Sequence, residues 1–283
     1  MTTAAMQSPP NERLSRASIA ATNFGFLWTE GLGEGLGRIA QAGITRTELM
    51  VSLPHVDLRQ SRSKLAHDIN DATRRNGLAL TSLNPVDMNL VSANGAIAEE
   101  SLEQLLLTID LAEDVGAPIV VVVPGKYSAL VPMNEQHALE TFRRSVEIML
   151  PRAAERGIKL AFENVPFGFL ESPNGLWTEL KSYETDLIGL TVDAANLHFA
   201  GQDFRTEIEA VQKHILIVHI SDTDRSRFKH GHIGEGDVDF AEVASALKAV
   251  EYLGDIVYEL ATPGVDWARW QQDLLRLRQL GWA

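Results

Sequence analysis

The sequence predicts an α/β protein, a (β/α)₈ TIM barrel in a single domain. Three observations carry this expectation. A helix–glycine–strand punctuation recurs along the chain, the strand segments are apolar almost without interruption, and eight of them are spaced roughly 25 to 40 residues apart, as barrel units are. The punctuation falls at Gly43 in "IAQAGITRTELMV", Gly77 in "RRNGLALTSL", Gly116 in "AEDVGAPIVVVV", Gly157 in "AERGIKLAFE" and Gly254 in "EYLGDIVYEL". Glycine enters the left-handed conformation that closes a helix at little steric cost, so each marks an exit into the next strand.

The elements follow in order. A first strand, "SIAATNF", begins near Ser18, and strands two to five follow the first four glycines. The sixth, "IGLTVD", ends at Asp193; the seventh, "ILIVHI", contains His219; the eighth, "DIVYEL", ends at Glu259. Runs such as "IVVVV" and "ILIVHI" fit parallel strands covered on both faces. Between them, Leu102, Leu105, Leu106 and Ile109 recur at helical spacing, with Glu103, Asp110 and Glu113 largely off that stripe. Phe142, Val146, Met149 and Leu150 repeat the pattern. A doubly wound sheet would use the same elements, since strand count alone does not show closure.

The 283 residues are 45% hydrophobic and 22% charged, enough for one large core. The absence of cysteine excludes disulfides, thiolate metal sites and thiol nucleophiles. A net charge of -13 disfavours a phosphate backbone as partner, so no nucleic acid is expected. No apolar run of about 18 residues is present, so no membrane span is expected. Residues 1–14 are polar and lack the apolar segment of a signal peptide, reading as a flexible tail on a cytoplasmic barrel of residues 15–283.

In such a barrel, active groups sit where strands end. The last four strands deliver Glu163, Asp193, His219 and Glu259 to one rim, with Asn164, Asn196, His198, Asp222 and Arg225 just beyond. Singly, each has a plain alternative: an Asp at a strand end caps the next helix, and a His bonds to backbone. Jointly, three carboxylates at one low-dielectric rim repel one another unless a cation neutralises them. One imidazole and three carboxylates suit one divalent ion, Mn²⁺ first and Mg²⁺ or Co²⁺ as alternatives, better than zinc.

At these residues the chain resembles the xylose isomerase-like superfamily, the sugar phosphate isomerases and epimerases related to endonuclease IV-type barrels. The stretch that carries most of the likeness is "HISDTDRSRFKHGHIGEGDVDF", His219 to Phe240, with its His-x-x-Asp element and Gly-Glu-Gly-x-x-Asp-Phe segment. The resemblance implies that Glu163, Asp193, His219 and Glu259 hold the metal and that Arg225 binds a substrate oxygen. The chain departs from ketose epimerases at Asn196, where they carry His, and at Phe169, where they carry Glu, although Glu171 is close by. It departs from endonuclease IV at Phe228, where an Asp precedes the His that His230 matches.

The expected function is therefore a metal-dependent isomerase or epimerase of a ketose, keto-sugar or related polyol, acting through a metal-bound enediolate. Glu163 and Glu259 would transfer protons on two sides of the substrate. Arg225, His198, His232, Asn196, Trp28, His55 and Asn84 are candidate substrate contacts. Gly234 and Gly236 read as shaping a tight loop rather than a phosphate site. Trp267 and Trp270 read as packing. A lyase or dehydratase, similar to inosose dehydratases or C-glycoside deglycosidases, would use the same enolate if a β-substituent leaves. A barrel that only binds metal and sugar is a third reading. Barrels of this kind commonly pair, so a homo-oligomer is expected, with a small sugar or polyol as ligand.

Overall fold

The computed structural model describes residues 18–128, 130–131, 134–262 and 264–282; the expected tail over residues 1–14 lies outside them. Eight strands, β1 (Ile19–Thr22), β2 (Arg46–Val51), β3 (Ala79–Pro85), β4 (Ile119–Val122), β5 (Lys159–Glu163), β6 (Ile188–Asp193), β7 (Ile215–Ile220) and β8 (Asp255–Tyr258), pair in sequence order. All pairings are parallel, and β8 returns to β1 through Ile19↔Ile256 and Ala21↔Tyr258. Closure excludes the doubly wound alternative.

The helices are α1 (Leu32–Gln41), α2 (Arg62–Arg75), α3 (Gly95–Val115), α4 (Glu135–Arg156), α5 (Pro173–Leu180), α6 (Ala194–Phe199), α7 (Phe204–Val211), α8 (Phe240–Ala249) and α9 (Trp267–Gln279). They ring the barrel and form its main core. Outward-facing strand residues such as Leu160, Phe162, Leu190, Val192, Val218 and Ile220 pack with Phe142, Val146, Met149 and Ile208 from the helices. Each such fully buried side chain contributes about 1.5–3 kcal/mol. Trp267 and Trp270 stack at 5.2 Å between ring centres, as packing residues do.

The two-residue period of a strand gives the interior a separate identity. Ala20, Val121, Ile217 and Val257 meet inside the barrel as a small dry cluster. Two residues further along β5, β7 and β8, the same face carries different chemistry. His219 follows Ile217, Glu259 follows Val257, and Glu163 follows Ala161. An apolar floor thus lies beneath a polar layer at the C-terminal mouth.

Two expectations are corrected. Gly43, Gly77, Gly116 and Gly157 have φ between +64° and +77°, but Gly254 does not adopt a left-handed backbone. Glu251 does so instead, at φ +53°, just after α8. Gly254 is needed for space, because a Cβ there would lie 2.6 Å from the Tyr252 ring. Asp110, read as largely off the apolar stripe of α3, also lies inside. It is buried, and Arg62, Arg152 and Arg156 reach it at 3.0, 3.4 and 3.2 Å, tying α2 and α4 to α3.

Candidate metal centre and active site

Four consecutive strand ends converge on one point. Glu163 ends β5, Asp193 ends β6, His219 lies one residue before the end of β7, and Glu259 follows β8. The Glu259 amide continues the ladder by donating to the Ile220 carbonyl, and Asp193 pairs directly with His219. One donor atom from each side chain lies within 4.8 Å of the other three, and all four residues are buried. From His219 Nδ1, Glu163 Oε1 is 3.3 Å away, Glu259 Oε2 3.4 Å and Asp193 Oδ2 4.0 Å. Donors that share one ion at about 2.1 Å stand about 3–4.3 Å apart.

Three of these atoms, Asp193 Oδ2, His219 Nδ1 and Glu259 Oε2, are buried with no hydrogen-bond partner among the described residues. Buried polar atoms left unpaired are costly, and here they point at a common centre. Asp193 satisfies its plain alternative as well. Its Oδ1 caps α6 by accepting from the Asn196 amide at 2.6 Å, which leaves Oδ2 facing the centre. Asn164 fixes this arrangement by accepting from the Asp193 amide at 2.9 Å.

Sequence reasoning missed Glu48. It is fully buried on β2 and accepts from Ser82 Oγ at 2.6 Å and from Asn84 Nδ2 at 3.0 Å. Its Oε2 also stands 3.2 Å from His219 Nε2. In the neutral imidazole that a metal ion requires, this contact holds the proton on Nε2 and leaves Nδ1 as the donor atom toward the centre. A carboxylate behind an imidazole in this way fixes its orientation and raises its basicity as a ligand. The available signal was a charged residue inside the apolar run "TELMV".

The electrostatics follow from burial and mutual proximity. Desolvation, reinforced by Glu259 and Glu163, pushes Asp193 well above the usual carboxylate range. Burial also raises Glu163, against the pull of His219. Burial alone would depress His219, but Glu48, Glu259 and Glu163 outweigh it and hold the imidazolium well above its ordinary value. Burial would raise Glu259, yet His219 and His230 pull it below its ordinary value. Burial lowers His230, whose Nδ1 lies 3.3 Å from Glu259 and 2.8 Å from Ser221 Oγ.

The remaining predicted residues divide. Asn196 joins the centre: its Nδ2 donates to the Asn164 carbonyl at 2.8 Å and lies 3.4 Å from Glu163 Oε1, while its buried Oδ1 has no partner among the described residues. Asn84 points to Glu48. Both His55 nitrogens are engaged, one with Asn23 Nδ2 at 2.8 Å and one with the Glu30 carbonyl at 2.7 Å, which locks the β1 and β2 loops together. His232 bonds to buried Asp273 at 2.6 Å, which also accepts from the Tyr258 hydroxyl. His198 pairs with Asp237 at 2.6 Å. Arg225 is exposed and Trp28 is 77% exposed at the rim.

Asp222 clamps the Gly-rich loop by accepting from the Gly234 and Val238 amides at 2.6 and 3.2 Å. Gly236 passes so close to Thr223 that a Cβ would overlap its carbonyl. These contacts give Gly234 and Gly236 the loop-shaping role expected of them.

The closed barrel and its strand-end carboxylates define a class, and comparison with known proteins places the chain in it. The chain belongs to the xylose isomerase-like TIM barrel family, whose model matches residues 36–280. An uncharacterized protein of Methanocaldococcus jannaschii is 28% identical over 178 residues, 61% of either chain. The L-ribulose-5-phosphate 3-epimerase UlaE of Shigella flexneri is 28% identical over 171 residues, 60% of either chain. The chain thus matches less than two thirds of the length of these relatives. Among solved structures, a D-tagatose 3-epimerase-like protein superposes with a TM-score of 0.79 at 23% identity, covering 93% of this chain and 98% of its own. The 3-keto-D-glucoside 4-epimerase YcjR from E. coli gives 0.78 at 16% identity, covering 93% and 100%. No helix among the described residues is long and apolar enough to cross a membrane.

Proposed function

We propose that the chain is a divalent-metal-dependent isomerase or epimerase of a ketose, keto-sugar or related polyol. The observation that carries this reading is the convergence of unpaired, buried Asp193 Oδ2, His219 Nδ1 and Glu259 Oε2, with Glu163, on one centre. The naming of the relative UlaE as a sugar 3-epimerase supports it. The donor set fits one hard or borderline divalent ion, Mn²⁺ before Mg²⁺ or Co²⁺.

Such an ion supplies Lewis acidity toward a carbonyl and its neighbouring hydroxyl, acidifying the C–H bond between them. Glu163 and Glu259 approach from β5 and β8, on two sides of the mouth. One carboxylate takes the proton from carbon, leaving an enediolate, and the other returns a proton. Return to the opposite face of the same carbon gives an epimer; return to the neighbouring carbon gives the aldose–ketose pair. Asp193 and His219 mainly hold the ion. Asn196, His198, His230, His232 and Arg225 are the proposed contacts to substrate hydroxyls, with Trp28 at the rim.

Incubation with a panel of ketoses and keto-sugars in D₂O tests the reaction class. Deuterium is expected at carbon in recovered sugar, with composition otherwise unchanged. Release of water or an aglycone would assign a lyase instead. The absence of both exchange and turnover by the metal-loaded protein would leave only a binding function. Glu48→Gln keeps the volume but removes the charge behind His219. It is expected to weaken Mn²⁺ affinity by about 10–100-fold with an unchanged far-ultraviolet spectrum. Calorimetric Mn²⁺ titration measures this.

A further inference from the structure

Beside the carboxylates, the ends of β5, β6 and β7 carry three phenylalanines that the proton chemistry does not use. Phe167 lies after β5, Phe199 ends α6 and Phe228 lies in the loop after β7. Their ring centres are 5.5 Å apart for Phe167–Phe199, 5.1 Å for Phe199–Phe228 and 6.4 Å for Phe167–Phe228. Phe167 is 58% exposed, and the other two are partly exposed. The apolar surface is continuous with the reactive centre. The Phe228 ring meets His230 at 5.1 Å, and His230 Nδ1 is 3.3 Å from Glu259.

Phe167 is held in place. Its φ is +63°, a left-handed backbone that a bulky residue adopts only when its surroundings impose it. Its amide donates to the Glu171 carboxylate at 3.0 Å, and its carbonyl accepts from the Tyr127 amide at 2.9 Å. The next residue, Gly168, bridges to Lys126, and a Cβ there would lie 2.8 Å from the Val165 carbonyl. The loop therefore spends strain and hydrogen bonds to present an aromatic ring at the mouth. Three residues before Phe199, on the same face of α6, buried Asn196 keeps an oxygen with no partner among the described residues. The mouth is thus polar on one side and aromatic on the other.

We propose that Phe167, Phe199 and Phe228 form a subsite for a planar apolar substituent, so that the substrate is an aryl glycoside of a keto-sugar. This rests on the keto-sugar reading of the metal centre. The partly exposed faces of three phenylalanines match one aromatic ring, which buries about 150–250 Å².

Calorimetric titration of the Mn²⁺-loaded protein with phenyl and methyl 3-keto-β-D-glucopyranoside tests the subsite. Wild type is expected to bind the phenyl compound about tenfold more tightly, the scale of an aromatic pair together with its buried area. In Phe199→Ala/Phe228→Ala that preference is expected to vanish while methyl-glycoside affinity stays the same. Equal affinities in wild type, no binding of the phenyl compound, or a preference that survives in the variant would each overturn the proposal. So would a wild-type dimer that the variant dissolves in sedimentation, which would assign the rings to a second copy. Carbon-bound deuterium in either glycoside is read separately. A phenyl preference without exchange keeps the subsite and refutes the epimerase reading, whereas exchange without preference does the reverse.

Discussion

Glu259→Gln and Glu163→Gln are each expected to lower kcat by at least about 10³-fold, the upper range for loss of a positioned acid or base. Glutamine keeps the shape and one acceptor oxygen at each position but neither accepts nor delivers a proton at neutral pH. Each change also removes one of the three anionic donors, so Mn²⁺ content in the purified protein should fall as well. Combining them should cost little more than either alone, because two residues serving one proton relay act as a unit. Steady-state kinetics and metal analysis on the same samples check this. A double variant that kept both its Mn²⁺ and its activity would refute the assignment of the centre.

The outline of this centre was readable because each of its four residues lies at or next to the end of an apolar strand, and a strand end is a sequence position. Parallel strands read as apolar runs, and the first polar residue after such a run faces the barrel mouth. Closure was not readable, since β1 pairs with β8 through residues some 240 positions apart and no local pattern encodes that contact. Glu48 was missed for a related reason. It sits within a strand, where a carboxylate looks out of place until Ser82, Asn84 and His219 are brought to it from β3 and β7. The candidate contacts in loops fared differently. His55 carries the right chemistry, but both of its nitrogens bond partners that only the folded loops reveal, Asn23 and the Glu30 carbonyl. The departure from endonuclease IV at Phe228 was visible as a missing carboxylate, yet its place in a ring of three phenylalanines needed the geometry of β5, β6 and β7.

The centre also sets how stability depends on metal and pH. Asp193, Glu163 and His219 all have folded-state pKa values raised above their unfolded ones, near 3.8, 4.5 and 6.5. The stability each contributes is complete below its unfolded value and is lost as pH rises through its folded value. Glu259 is shifted the other way, so its contribution is present above 4.5 and is lost as pH falls through its lower folded value. Glu259 acts only below this range, so from pH 5.5 to 8 the raised groups set the sign and the metal-free protein weakens as pH rises, because the buried cluster becomes more anionic. A divalent ion reverses that cost and itself requires deprotonated ligands, so it binds more tightly at the higher pH. At a thousandfold excess over Kd it adds about 4 kcal/mol, or about 8 °C in Tm for a chain of this size. Thermal melts with Mn²⁺ or with chelator should therefore differ by about this amount at pH 8 and by much less at pH 5.5. An increment that stayed constant or grew toward low pH would show that the ion does not bind through these carboxylates, whatever the protein's activity.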